Sequence, residues 1–128
     1  DDMTSATLIR RFYEIGIYPD WWKLEPFTTA AAWENACAAI TGNDPHVRGI
    51  VVLGLDAPAD QLAESFALAA RHDLVRGFAV GRTIFADVAR AWLKAEIGDA
   101  EAVAGMVAKY EDLCRVWDAA RAGKGDAA

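Results

Sequence analysis

Lys23 and Glu25 are the first residues whose types and spacing suggest chemistry. They flank Leu24 in the short run Trp21-Trp22-Lys23-Leu24-Glu25, which Pro26 closes. In an extended strand successive side chains alternate between faces, so Trp21, Lys23 and Glu25 share one face and Trp22 and Leu24 the other. A lysine held among apolar side chains loses the hydration of its charged form, and the neutral amine then becomes a nucleophile for a carbonyl substrate. The alternative is a structural Lys23/Glu25 ion pair whose charges offset one another inside the domain. A second candidate is Gly81-Arg82-Thr83, where a glycine, a fixed cation and the free N–H groups of a helix start come together. That combination suits a phosphate group, although it also fits a plain glycine turn with a solvated Arg82. Asp56 is a third candidate, able either to orient a substrate hydroxyl or to cap a helix in its Asp-Ala-Pro context.

These residues need elements to hold them, and the order of patterns supplies them. Thr4-Ser5 is expected to cap a helix carrying Leu8, Ile9, Phe12 and Tyr13, with Gly16 ending it. The Trp21–Glu25 strand follows. Thr28-Thr29 next caps a helix with Ala32, Trp33, Ala36, Cys37 and Ile40 on one face, closed by Gly42. Gly49–Leu55 is a continuous β-branched run, the pattern of a parallel strand buried on both faces. Pro58 then opens a helix with Leu62, Phe66 and Ala69 facing inward. A third strand, Gly77–Val80, turns at Gly81 into a helix with Ile84, Phe85, Val88 and Trp92. A last helix aligns Val103, Met106, Val107, Tyr110, Leu113, Cys114 and Trp117.

Strands alternating with helices make an α/β protein with a parallel sheet. Ligands of such sheets bind at the carboxyl ends of the strands, which is where Lys23, Asp56 and Gly81-Arg82 fall. Three strands are too few to close a barrel, so 128 residues read as the C-terminal part of a (β/α)8 TIM barrel with an extra C-terminal helix. Residues 1–122 form one partial barrel domain in this reading, and 123–128 a flexible tail. Two unpaired sheet edges and an uncovered face then need an N-terminal half or a second copy, and a homodimer with the inner faces covering each other is expected.

Composition narrows the classes of function. A hydrophobic fraction of 54% with 25% charged residues is that of a folded chain, and five Trp provide area for burial. The net charge of −6, with no Lys/Arg cluster, argues against a nucleic-acid backbone or an anionic membrane surface as partner. Cys37 and Cys114 lack the spacing of a redox or zinc site, and His46 and His72 fall in loops on the opposite face with no partner at ligand spacing. No metal and no cofactor is expected. The Glu111-Asp112 and Asp99-Glu101 clusters read as solvated helix surface. With no signal segment and no long apolar run, the chain reads as cytoplasmic, its start at Asp1 artificial or proteolytic.

Three stretches carry a resemblance: Tyr13–Pro26, Val51–Pro58 and Gly77–Phe85. Together they resemble the C-terminal domain fused to bacterial 5-dehydro-2-deoxygluconokinase, a sugar kinase of myo-inositol catabolism, and the likeness extends to about Ala122. That domain is similar to class I aldolases of the tagatose-bisphosphate type. The resemblance implies that Lys23 is the Schiff-base lysine and that Gly81-Arg82 holds substrate phosphate. It implies 6-phospho-5-dehydro-2-deoxygluconate as the substrate, cleaved to dihydroxyacetone phosphate and malonate semialdehyde. It further implies that the acid/base glutamate lies before Asp1 and that a fused kinase domain is a partner. Kinase activity is not expected in this chain, whose one glycine-rich candidate, Gly123-Lys124-Gly125-Asp126, falls in the tail. Two functions compete: half of a carbon–carbon lyase acting on a phosphorylated keto-sugar acid, and a non-catalytic domain that docks on and stabilises or oligomerises a sugar kinase.

Overall fold

The computed structural model describes residues 1–54 and 58–123. Its elements run α1 (Thr4–Glu14), β1 (Trp21–Leu24), α2 (Ala30–Thr41), β2 (Gly49–Leu53), α3 (Ala59–Ala69), β3 (Val75–Ala79), α4 (Arg82–Leu93) and α5 (Asp99–Ala122). The strands form one sheet of order β1-β2-β3, parallel throughout. The chain is therefore an α/β protein in which three parallel strands alternate with helices and a long helix closes the C-terminal end.

Strand parity decides what the sheet buries. Trp22, Leu24, Ile50, Val52 and Val75 join Ile9 and Tyr13 of α1, Trp33 and Ile40 of α2, Leu62 and Phe66 of α3, and Leu113 and Trp117 of α5 in one core. All these helices lie on the same side of the sheet. Each fully buried Val, Ile, Leu or Phe side chain contributes roughly 1.5–3 kcal/mol of transfer free energy. The Trp22 indole N–H also donates to the Tyr13 hydroxyl at 2.9 Å, so the one polar atom of that ring is satisfied in the core. Burial pushes the Tyr13 phenol and the Cys37 thiol up, the latter to about 11, in keeping with Cys37 as a packed apolar group.

The opposite sheet face has no second layer among the described residues. Trp21 is 47% exposed there, and Val51, Leu53, Gly77 and Ala79 are half-buried. The expectation that β2 is buried on both faces is thus corrected: Ile50 and Val52 are fully buried, whereas Val51 and Leu53 face an open side. β3 begins two residues before the expected Gly77. Ile50 pairs with Val75 and Val51 with Gly77, so Arg76 bulges out of the ladder and the pattern Val75-Arg76 does not read as strand in sequence.

Other departures are local. The expected Thr4-Ser5 cap is replaced by Met3, whose N–H donates to the Asp1 carboxylate, and Thr4 is already helical. Leu8 and Phe12 are exposed because Ala6, Ile9 and Tyr13 form the inward stripe of α1. Thr29 caps α2 as expected, its hydroxyl accepting from Ala32 N–H at 3.2 Å.

The C-terminal helices take an unexpected path. α4 and α5 are antiparallel, tied by the Asp87–Lys109 ion pair at 3.4 Å and by a bond from the Trp92 indole to Asp99 at 2.7 Å. Arg90 and Lys109 beside Asp87 hold its carboxyl below the ordinary carboxylate range. The second half of α5 is the part that packs on the sheet layer: Trp117 meets Phe66 edge-on at 5.4 Å, and Arg121 donates to the Ala70 carbonyl at the far end of α3. Tyr110 lies over Phe78, the penultimate residue of β3. The part of α5 before Tyr110, roughly 16 Å at 1.5 Å per residue, therefore projects past the carboxyl end of the sheet with α4 beside it. This is why α4 has no buried residue and why Val103, Val107 and Tyr110, expected on a buried stripe, are exposed.

The turn that joins the two helices places Ala95 at φ 58°, a left-handed conformation that costs a residue with a Cβ roughly 1–2 kcal/mol. Ala95→Gly is expected to raise stability by about 0.5–1 kcal/mol, read as a higher urea midpoint at unchanged slope.

Candidate functional site

At the carboxyl end of the sheet an open cleft of about 450 Å³ is lined, among the described residues, by Lys23, Leu53, Gly54, Gly81, Arg82 and Phe85, together with Ala79 and Thr83. Register explains how distant residues meet there. Lys23 pairs with Val51, and Val51 with Gly77, so the three positions fall on the open face, one residue before the end of β1 and two before the ends of β2 and β3, where Leu53 and Ala79 continue the same face. Beyond Ala79 the chain reaches Gly81, whose carbonyl accepts from Ile84 and Phe85 N–H at 2.8 and 3.2 Å and so starts α4 at the mouth of the cleft. Gly81 at the N-cap has no side chain to bond the first N–H groups of this helix, which begins at the cleft end.

Lys23 and Arg82 are the charged members of the described lining. The Thr83 hydroxyl oxygen is buried without a hydrogen-bond partner among the described residues. It lies 3.0 Å from where a Cβ at Gly54 would stand, and Val80 Cγ1 lies at 2.8 Å from the same point. Only a glycine at position 54 lets the first turn of α4 come this close to the end of β2.

The structure brings together Lys23, Gly81 and Arg82 and separates Glu25 from them. β1 ends at Leu24 because Pro26 cannot donate to the ladder, and Glu25 accepts from the Ser5 hydroxyl at 2.9 Å instead. It belongs to a different cleft of about 330 Å³, lined by Asp1, Asp2, Ser5, Glu25, Thr28 and Thr29 among others. The expected burial of Lys23 beside Glu25 is therefore corrected. Lys23 is exposed, because the face onto which parity turns it is the one without a second layer. Asp56 lies outside the described residues. His46 donates its N–H to Asp44 in a turn at the amino end of β2, away from the cleft. Among the described residues no group of three His, Cys, Asp or Glu could hold a metal ion, and no helix is long and apolar enough to cross a membrane.

Sequence reasoning named the strand ends but missed Leu53, Ala79 and Phe85 as lining. Period two from Lys23 across the paired strands would have found the first two; the course of α4, which places Phe85, has no such signal.

A model of a bacterial family described as uncharacterized protein conserved in bacteria (DUF2090) matches residues 1–121. The chain belongs to that family. No curated protein and no solved structure matches it.

Gly54→Ala is expected to lower stability by about 1–3 kcal/mol, since Val80 and Thr83 must give way. Gly77→Ala, where an added Cβ meets nothing within 4 Å, should stay within about 0.5 kcal/mol. Urea titration of the two variants checks the contrast.

Proposed function

We propose that the cleft binds a phosphorylated keto-sugar acid and that the chain is part of a class I, Schiff-base aldolase-like (β/α)8 barrel. The observation that carries this reading is the convergence of Lys23 with Gly81 and Arg82 on one cleft at the carboxyl end of a parallel sheet. Sequential strand order with every core helix on one side of the sheet supports a barrel sector, whose interior is the open face bearing Lys23. In this reading α4 corresponds to the short extra helix whose N-terminus takes phosphate in many barrels, and α5 to the outer helix packed behind β3.

The chemistry assigned to Lys23 is imine formation. Its amine lone pair forms a bond to the ketone carbon, and the carbonyl oxygen leaves as water. Arg82 and the first amides of α4 would fix the phosphate, so that the carbonyl is presented to the amine rather than to solvent. The exposed Lys23 still lacks the enclosed surroundings such an amine needs, and the described lining has no general acid or base. The remaining strands of the barrel would supply both, along with the acid/base glutamate.

A second reading is favoured by that same exposure and by the outward Trp21: a non-catalytic domain whose open face docks on a partner, either a sugar kinase or a second copy in a homodimer.

Borohydride reduction in the presence of dihydroxyacetone phosphate separates the two. The catalytic reading expects one covalent adduct, mapped by mass spectrometry to Lys23, absent in Lys23→Met, and reduced at least tenfold in Arg82→Ala at limiting ligand. Labelling spread evenly over Lys23, Lys94 and Lys109, or none, would leave the docking reading.

A further inference from the structure

We draw no further inference here: the strongest candidate, the exposed apolar stripe of Leu8, Phe12 and Ile15 along the outer side of α1, next to the edge strand β1, carries nothing because nothing in the structure shows what covers it.

Discussion

One constraint governs this molecule: a parallel sheet must turn alternate residues to opposite faces, and among the described residues only one of its faces is packed. Trp22, Leu24, Ile50 and Val52 meet the helices, and their neighbours Trp21, Lys23, Val51 and Leu53 are forced the other way. The cost of exposing the apolar members of the second set is accepted because the first set, with Trp33, Phe66 and Trp117 behind it, holds the layer together. Lys23 cannot be moved to the packed side without turning Trp22 and Leu24 out, since a slip of one residue exchanges the faces of the whole strand. Its place in the cleft is therefore fixed by the core on the other side of the sheet.

The second determinant is the course of α4. A helix returning beside β3 would have buried its apolar stripe and closed the layer; here α5 does that, through Trp117 on Phe66 and Arg121 on the end of α3. Packed on α5 and touching the core only through the partly buried Ile84, α4 starts at the cleft, where Arg82 and Lys23 both line the wall.

Much of this was legible in the sequence. The unbroken Gly49-Ile50-Val51-Val52-Leu53 run, the Thr29 cap and the Leu62/Phe66/Ala69 stripe each follow from local rules, and period two correctly paired Trp22 with Leu24. The convergence of Lys23 with Gly81-Arg82 was readable from the rule that ligands meet parallel strands at their carboxyl ends. Other features have no local signature. Whether the face bearing Lys23 is covered depends on residues far apart or elsewhere, so its burial could not be deduced from its neighbours. Glu25 followed the alternation only on the assumption that the strand continued, and Pro26 ended it one residue earlier. The bulge at Arg76 and the outward path of α4 arise from tertiary packing that overrides periodicity.

The proposed function depends on anion binding in the cleft between β1, β2 and the start of α4, and amide chemical shifts followed during titration with inorganic phosphate test it most directly. The account predicts saturable shifts concentrated at Gly81, Arg82 and Thr83, with smaller ones at Gly54 and Lys23, all strongly reduced in Arg82→Ala. Shifts that are absent there, or that gather instead around unrelated surface cations such as Arg48 and Arg115, would contradict it.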